Sequence, residues 1–407
     1  MICGLLGEKL GHSYSPRIHS LLGDYTYTLF EKKPEELEDF LKNTDFSGIN
    51  VTIPYKKAVI PYCKKLTPTA QRLGAVNTLV RDVAGDLIGH NTDYSGFTSM
   101  LEKSGLSVAG KKVLVLGSGG ASVTAQAVLQ EKGAQVVVIS RQGPNNYENL
   151  QKHQDARVIV NATPVGMYPN TGVAPVDVAL FPQLEGVLDL IYNPARTQLL
   201  MDAEAKGCIT ENGLWMLVAQ AVESAQWFML KEISKETIGQ VYHQIRRPME
   251  NLILIGMPGC GKSTVGKLLA QKTGRKFVDA DVVIRETAGM TIPEIFAQEG
   301  EDGFRKRETQ VLGELGKASG LVIATGGGCV TREENYPLLH QNGTIYFLQR
   351  EIAHLPTEGR PLSQAGNLEE MFNHRKPLYE AFADKIVDNN KTLEDTLSQI
   401  LTQEDMA

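Results

Sequence analysis

Cysteine is scarce in this chain of 407 residues, which has only five, and they are scattered along its length. They are Cys3, Cys63, Cys208, Cys260 and Cys329, and no two of them form a C-x-x-C pair. An odd number of dispersed cysteines argues against a cysteine-rich zinc site and for a reducing compartment. We therefore expect a cytoplasmic protein.

Long apolar runs and an excess of positive charge are also missing. The longest apolar stretches, QVVVI and NLILIGM, are far shorter than the roughly 20 residues that a membrane span needs. The N-terminal MICGLLGEKLGHS has no basic start and does not read as a secretory signal. Lysine and arginine number 41 against 47 acidic residues, a net charge of −6. We therefore expect neither a membrane nor a nucleic-acid partner.

What the chain does contain is a globular composition, with 42% hydrophobic and 22% charged residues. This excludes a fully disordered chain, and at roughly 100–200 residues per domain the length predicts two to four domains. Short apolar or β-branched segments alternate with helical patterns, which is typical of parallel α/β domains. The segments are INVTI, KVLVLG, AQVVVIS, RVIVNAT, NLILIG, LVIAT and TIYFL.

The main domain boundary is predicted just before residue 251. Apolar residues at i, i+3, i+4 and i+7 spacing predict an amphipathic helix over 214–229. An Arg-Arg-Pro sequence at 246–248 then interrupts the pattern before a new strand begins. We expect residues 246–250 to be a linker and 251–407 to form a domain with its own core.

The clearest motif is Gly256-Met-Pro-Gly-Cys-Gly-Lys-Ser, which fits G-x-x-x-x-G-K-[ST] and lies between a predicted strand and a predicted helix. Glycines let backbone N–H groups approach phosphates, and the helix N-terminus adds a favourable field. Lys262 would reach the β- and γ-phosphates of ATP, and Ser263 would hold Mg²⁺. The predicted nucleotide-binding residues are Gly259, Cys260, Gly261, Lys262, Ser263 and Thr264.

Charged residues follow this loop at spacings that suit an anionic ligand. Asp279 and Asp281 end a predicted strand, where period-2 spacing puts both carboxylates on one side to serve a metal and a hydroxyl. Arg305 and Glu308 have helical i, i+3 spacing, so the acid can orient the guanidinium. The glycine run 326–328 lets a ligand approach the backbone. A helix cap, a solvated charged face and a plain turn are the structural alternatives.

In this order the motifs GMPGCGKST, DAD, FRKRE, GGG, RPL and RKPLY resemble shikimate kinase over nearly all of residues 251–400. The resemblance implies a P-loop fold of the nucleoside-monophosphate-kinase type. It implies that Asp279 helps to hold Mg²⁺ and that Asp281 acts on the acceptor hydroxyl as base or positioning group. Lys262 and Arg360, the latter from the lid, would contact ATP and the transferring phosphate. The implied acceptor-binding residues are Asp281, Arg305, Gly327, Gly328 and Arg375.

The lid segment REIAHLPTEGRPLS departs from that family in one respect. Many members carry a further lid arginine, but no arginine lies between Arg350 and Arg360, and His354 stands there instead. The residue that would contact adenine is therefore undetermined, while the predicted reaction class does not change.

A second glycine turn lies at 113–122, where the strand VLVL runs into GSGGAS and a helical pattern. The first two glycines of G-x-G-x-x-G are present, and serine stands in place of the third. The next strand ends in Ser140-Arg141, where an NAD-binding protein would place an acidic residue, so we expect NADP. The predicted NADP-binding residues are Gly117, Ser118, Gly119, Gly120, Ala121, Ser140, Arg141, Asn161, Ala162, Thr163 and Gly213.

The first hundred residues contribute polar side chains at predicted turns. INVTIPYKK runs a strand into a proline and places Lys56 at a predicted helix start. GAVNTLV and GHNTD predict a hairpin with Asn77 and Asp93 at its two ends. HSYSP offers the hydroxyls of Ser13 and Ser15, although a turn followed by a helix start is the more frequent explanation of this motif when it is taken alone.

Together the motifs S-x-S-P, NVT-x-P-x-K, GAVNT, NTD, GxGGAS, NAT and NGLWMLVAQA resemble shikimate dehydrogenase over 1–245. The resemblance implies a substrate-binding α/β domain of 1–103 with 214–245, and a Rossmann NADP-binding domain of 104–213. It implies that Lys56 donates a proton to the substrate carbonyl and that Asp93 holds the hydroxyl and the lysine in place. The implied substrate-binding residues are Ser13, Ser15, Thr52, Asn77, Tyr192 and Gln220. Trp215 stands where glycine is frequent in that family, and we expect it to be a packing residue.

The two resemblances predict one α/β chain with two enzymes in pathway order. The first would reduce 3-dehydroshikimate to shikimate with NADPH, and the second would phosphorylate shikimate at its 3-hydroxyl with ATP. A quinate-type dehydrogenase joined to a kinase of another small hydroxy acid is the alternative enzyme. A regulator that senses pathway ligands without turnover is the alternative outside enzymes. Monomer and homodimer stay equally open.

Overall fold

The computed structural model describes residues 1–11, 13–355 and 368–405. They form two compact units. The first comprises Met1–Val165, Ala174–Tyr192 and Asp202–Ile245, and the second comprises Gly166–Val173, Asn193–Met201 and the chain from Arg246. Within the described residues, no helix is long and apolar enough to cross a membrane.

The first sheet of unit one contains six strands of the described chain, in the order β2-β1-β3-β5-β6-β4. The antiparallel pairing of β5 with β6 confirms the predicted hairpin. The strands are β1 Ile2–Gly7, β2 Thr26–Glu31, β3 Gly48–Val51, β4 Lys65–Leu66, β5 Thr78–Arg81 and β6 Leu87–His90, and the helices are α1 Ser15–Ser20, α2 Leu37–Asn43, α3 Pro68–Leu73 and α4 Asp93–Ser104.

The second sheet contains five parallel strands of the described chain, in the order β11-β10-β9-β7-β8. Its strands are β7 Lys112–Leu116, β8 Gln135–Ile139, β9 Val158–Asn161, β10 Gly186–Asp189 and β11 Ile209–Asn212, and the helices are α5 Gly120–Glu131, α6 Gln198–Ala205, α7 Leu214–Met229 and α8 Glu236–Arg246. Helix α7 has the bounds that the apolar spacing predicts. Because every pair is parallel, the carboxyl ends of these strands share one edge, where ligands bind in such sheets.

Unit two is built on a third sheet, again of five parallel strands of the described chain, in the order β13-β14-β12-β15-β16. Its strands are β12 Asn251–Ile255, β13 Lys276–Asp279, β14 Leu321–Ala324, β15 Gly343–Gln349 and β16 Lys385–Asp388, and the helices are α9 Lys262–Thr273, α10 Ala280–Ala288, α11 Ile292–Lys317, α12 Asn335–His340, α13 Leu368–Phe382 and α14 Leu393–Asp405. Short 3-10 helices elsewhere are Pro34–Glu36, Ile60–Tyr62, Leu150–His153, Val178–Leu180, Cys329–Thr331 and Ile352–His354.

The core of unit two explains why its strands read as continuous apolar runs. Ile253, Leu254, Ile323 and Phe347 lie in neighbouring strands and are fully buried. A parallel sheet is covered by helices on both faces, so alternate residues have no solvent side to occupy. The predicted α/β class is thereby confirmed, while the finer division of unit one into 1–103 with 214–245 and 104–213 stays a prediction.

Candidate active sites

Lys56 and Asp93 form an ion pair in unit one. Lys56 lies in the turns after β3, not at a helix start as predicted, and Asp93 is the first residue of α4. The Nζ atom of Lys56 lies 2.5 Å from Oδ2 of Asp93, with side chains 27% and 15% exposed. A partly exposed ammonium held by one carboxylate can donate a proton to a ligand without losing its position.

A buried polar network fixes the chain just before Asp93. The amide of Asn77 donates to Thr92 Oγ1 at 3.0 Å, and its Oδ1 accepts from the Thr92 backbone N–H at 2.7 Å. Ser224 Oγ on α7 lies 3.1 Å from Thr92 Oγ1 and accepts from Asn50 Nδ2 at 2.7 Å. Sequence reasoning missed Asn50, Thr92 and Ser224 in this role, although Thr92 belongs to the NTD motif.

The predicted substrate-binding residues fall into two groups. Gln220 joins the network, because its Oε1 accepts from Thr92 Oγ1 at 3.4 Å. Ser13 Oγ accepts from the Ser15 backbone N–H at 3.2 Å, and the ring of Tyr192 meets that of Tyr14 edge-on at 5.9 Å. The structure therefore brings Asn77, Gln220 and Asp93 together through Thr92. The second group has contacts of its own, separate from this network. It includes Thr52, whose backbone N–H donates to the Leu6 carbonyl at 2.9 Å. The other members are Ser13, Ser15 and Tyr192.

The glycine turn after β7 has the conformation that a dinucleotide phosphate needs. Gly117 has φ +100°, and a Cβ there would lie 3.0 Å from the Ala162 carbonyl oxygen. Ser122, in place of the third glycine, donates from Oγ to the Gly117 carbonyl at 2.6 Å and so braces the turn. Gly119 caps α5 without a side-chain hydrogen bond, and the exposed run 118–121 leaves its N–H groups accessible to an anion.

Two other predicted NADP-binding residues, Asn161 and Gly213, have structural contacts, whereas Arg141 is exposed. Asn161 donates to Asp189 Oδ1 at 3.0 Å and accepts from the Thr163 hydroxyl at 2.7 Å, so its amide shapes the end of β9. A Cβ on Gly213 would lie 2.1 Å from the Leu190 carbonyl oxygen, which requires glycine at that position. Arg141 is exposed directly after Ser140, where it is free to meet a 2′-phosphate.

Trp215 is a packing residue, as expected. Its indole N–H donates to Ser99 Oγ at 2.9 Å, and its ring lies 5.2 Å from that of Tyr242 on α8. Lys103 covers both rings at 5.2 Å from each centroid. The indole is therefore engaged with α4 and α8.

In unit two the loop between β12 and α9 is a P-loop with its lysine folded back. Lys262 is 8% exposed, and its Nζ donates to the carbonyls of Gly256 at 2.8 Å and Met257 at 3.0 Å. Gly256, Gly259 and Gly261 have φ of +145°, +86° and +99°, so a side chain at any of the three would be strained. Helix α9 begins with no side-chain cap, which leaves its first N–H groups to a phosphate.

Ser263 and Asp279 supply oxygen atoms beside this loop. Ser263 Oγ donates to Asp279 Oδ2 at 2.7 Å. In the described residues no group of three or more His, Cys, Asp or Glu side chains is placed to hold a metal. An open pair of hard oxygen donors fits Mg²⁺, which usually takes one or two protein ligands together with substrate phosphates.

Asp281 does not continue the strand, which corrects the period-2 placement. Strand β13 ends at Asp279, whose Oδ1 accepts from the Asp281 backbone N–H at 3.1 Å and so caps α10. Asp281 lies in the first turn of that helix. Burial, and then the nearby Asp279 carboxylate, raise the pKa of Asp281. A carboxyl with a raised pKa suits proton exchange with a hydroxyl.

The arginines of the acceptor side are anchored at buried positions. Arg305 Nη1 donates to Glu308 Oε2 at 2.7 Å, and this arginine is only 5% exposed. Arg375 Nη1 donates to the Gly327 carbonyl at 3.3 Å. The Tyr379 hydroxyl donates to the same carbonyl, a contact that the sequence did not signal. Arg360 lies outside the described residues.

The cysteines of unit two lie beside the site without reactive character. Burial raises the pKa of the Cys329 thiol to about 12. Cys260 is fully buried, and its carbonyl accepts from Asn389 Nδ2 at 2.5 Å. Its contribution to the P-loop is therefore made by the backbone.

Fold and sites together define two classes of enzyme in one chain. Unit one is an oxidoreductase of the dinucleotide-binding type, and unit two is a P-loop kinase for a small anionic acceptor. Family models are matched by residues 5–79, as a shikimate dehydrogenase substrate binding domain, and by residues 258–404, as shikimate kinase.

Individual relatives cover the N-terminal part. A shikimate dehydrogenase (NADP(+)) of Clostridium perfringens strain SM101 is 35% identical over 266 residues, which cover 60% of this chain and 97% of that protein. A crystal structure of Thermus thermophilus shikimate 5-dehydrogenase with NADP(H) and shikimate has 31% identity and a TM-score of 0.55, over 60% of this chain and 99% of that one. A Corynebacterium glutamicum quinate dehydrogenase in complex with NAD has 28% identity and a TM-score of 0.55 over the same shares.

The chain belongs to the shikimate dehydrogenase family and carries a shikimate kinase domain at its C-terminal end. It is a bifunctional enzyme of the shikimate pathway that uses NADP and ATP.

Proposed function

We propose that this chain reduces 3-dehydroshikimate to shikimate with NADPH and then transfers the γ-phosphoryl group of ATP to the 3-hydroxyl of shikimate. The observation that carries the proposal is the Lys56–Asp93 pair in the same chain as a P-loop and the acceptor-side Arg305. The product of the first reaction is the acceptor of the second. Each assignment therefore supports the other.

In the reduction, Lys56 donates a proton to the carbonyl oxygen of the substrate while Asp93 keeps the ammonium in place. Bound NADPH supplies the hydride. The amides of Asn77 and Gln220 hold ring hydroxyls, because both are already oriented through Thr92. Ser13, Ser15, Thr52 and Tyr192 complete the proposed substrate site.

In the phosphorylation, Lys262 leaves the carbonyls of Gly256 and Met257 and donates to the phosphates instead. Ser263 and Asp279 would hold Mg²⁺. When bound, this ion would neutralise negative charge that develops on the transferring phosphoryl group. Asp281 orients the 3-hydroxyl and accepts its proton. Arg305 and Arg375 bind the shikimate carboxylate, and Arg360 completes the phosphate contacts in this proposal.

The neutral hydrogen-bonding groups around the first site favour a polyhydroxylated ring, and Arg141 favours NADP over NAD. The quinate dehydrogenase neighbour shares this fold, so quinate with NAD is the alternative pair for unit one. We place the enzyme in the cytoplasm on its cysteine usage and leave monomer and homodimer to a sedimentation experiment.

The test is incubation of the purified chain with 3-dehydroshikimate, NADPH, ATP and Mg²⁺, followed by mass spectrometry. We expect shikimate to rise first and then convert to shikimate 3-phosphate. Parallel reactions run in the oxidative direction, with quinate or shikimate as substrate and NAD or NADP as cofactor, identify the substrate and cofactor of unit one. Shikimate without its phosphate would refute the kinase assignment, and no product at all would indicate a ligand-sensing protein.

A further inference from the structure

Arg350 lies at the mouth of the P-loop, although no motif contains it. It directly follows β15, which pairs with β12 through Phe347 and Ile255, the last residue before the loop. Its Nη1 atom lies 3.8 Å from the position that a Cβ on Gly261 would occupy, and Asn389 Nδ2 lies 3.9 Å from the same point. The guanidinium therefore faces the backbone one residue before Lys262.

The surroundings of this guanidinium are positive and lack a carboxylate partner. The Nε atom of Arg350 is buried without a hydrogen-bond partner, and no ion pair in the described part of the chain includes this arginine. The uncapped start of α9, whose N-cap is Gly261, adds partial positive charge at the same place. Asp388 is engaged within its own loop, where its Oδ1 accepts from the backbone N–H and amide of Asn390 at 3.0 and 2.8 Å. A bound anion would give this guanidinium the partner that the described residues do not supply.

The strand order indicates which part of a bound nucleotide would contact Arg350. The acceptor-side groups Asp281 and Gly327 follow β13 and β14, on one side of the P-loop strand β12. Arg350 and Asn389 follow β15 and β16, on the other side. Because the γ-phosphate must meet the acceptor, the rest of the nucleotide extends toward β15 and β16.

We infer that Arg350 is a nucleotide-binding residue whose guanidinium contacts the α- and β-phosphates of ATP, an inference that rests on the proposed kinase function. Arginine suits this place because its planar fork binds two phosphate oxygens at once. The segment that begins at Arg350 contains no further arginine before Arg360, so few other side chains there can supply positive charge to a phosphate.

The test measures ADP binding to the full-length chain by isothermal titration calorimetry, together with KM for ATP and for shikimate. Arg350→Met and Arg350→Gln are each expected to raise the Kd for ADP and the KM for ATP about tenfold, the usual loss of one charge-assisted phosphate contact. The KM for shikimate and the reductase rate stay unchanged. Arg350→Lys, which keeps the charge but not the fork, recovers part of the affinity. The matched control is Arg307→Met, because Arg307 is paired with Glu299 on the surface and loses no phosphate contact.

Unchanged ADP affinity in either neutral variant would overturn the inference. An equal loss of ADP and shikimate affinity would also overturn it, since that pattern indicates a structural role. Failure of the proposed function gives a different result. If the wild-type chain binds ADP but does not phosphorylate shikimate, shikimate is excluded as the acceptor. The effect of the Arg350 substitutions on the Kd for ADP still tests the inference.

Discussion

The Nζ atom of Lys56 and the Oδ2 atom of Asp93 lie 2.5 Å apart although 37 residues separate them in the chain. The pair forms because the turns after β3 and the start of α4 meet at one end of the first sheet. Neither residue is fully buried, so both can reach a bound ligand.

Lys56→Met is expected to lower the reductase kcat by about 10²–10⁴-fold, the range for loss of a general acid. The kinase rate stays near that of the wild type, because unit two holds its own groups. The two rates are measured separately, by NADPH absorbance and by coupled ADP release. Lys57→Met is the control, since its exposed neighbouring side chain is not part of the pair. Loss of both activities in Lys56→Met would contradict separate sites.

Asp279→Asn separates metal binding from helix capping. Asparagine caps helices as well as aspartate does, so α10 and the melting temperature should be preserved. The neutral side chain binds Mg²⁺ more weakly, and we expect the Mg²⁺ concentration for half-maximal kinase activity to rise by about 10-fold or more. A titration of Mg²⁺ at saturating ATP checks this. An unchanged titration would exclude Asp279 as a ligand.

Gly328→Ala tests the acceptor site through steric contact. A Cβ there would lie 2.1 Å from Arg305 Nη2, and Glu308 resists any movement of that guanidinium. We expect the KM for shikimate to rise about 10–100-fold, as expected for a displaced charge-assisted contact, while the KM for ATP changes little. Gly313→Ala is the matched control, because its Cβ would meet only Leu338 at 3.8 Å. A parallel rise in both constants would indicate general disruption.

Ser224→Ala tests the network below the reductase site. It removes one acceptor of Asn50 Nδ2 and one partner of Thr92 Oγ1, so the threonine hydroxyl that accepts from the Asn77 amide is held less firmly. We expect a several-fold rise in KM for 3-dehydroshikimate and a stability loss of about 1 kcal/mol. Ser99→Ala breaks the hydrogen bond to Trp215 and serves as control, with a similar stability loss and no change in KM. Identical kinetics of the two variants would contradict a positioning role for Ser224.

Asp281→Asn is expected to stabilise unit two at neutral pH. The pKa of Asp281 is raised on folding from its ordinary 3.8, so the unfolded chain releases this proton first as pH rises. Ionisation therefore destabilises the fold progressively above pH 3.8 until the folded group has also lost its proton. Asparagine avoids this cost, so the melting temperature of the variant should exceed that of the wild type at neutral pH.

Scanning calorimetry of both chains from pH 4 to pH 7 measures this effect. The advantage of Asp281→Asn should shrink toward the acid end of the range. A difference that does not vary with pH would contradict a raised pKa, and retained kinase activity in Asp281→Asn would exclude this residue as the base.

The sequence by itself determined the local features of this protein. Both glycine turns between a strand and a helix were predicted correctly because glycine and the residues around it act within a few positions of the chain. The bounds of α7 were predicted for the same reason, since apolar periodicity is a local property. The motif order was sufficient to identify both families.

Only the tertiary structure decided which distant residues meet. Asn50 and Ser224 are 174 positions apart, and no local pattern links them. The position of Arg350 depends on strand order, because β15 pairs with β12 across a long stretch of intervening chain. Asp281 was misplaced because its backbone leaves the strand once Asp279 caps α10. The physical reason is common to all three: side-chain chemistry is encoded locally, whereas the contacts that position it arise from the packing of whole strands and helices.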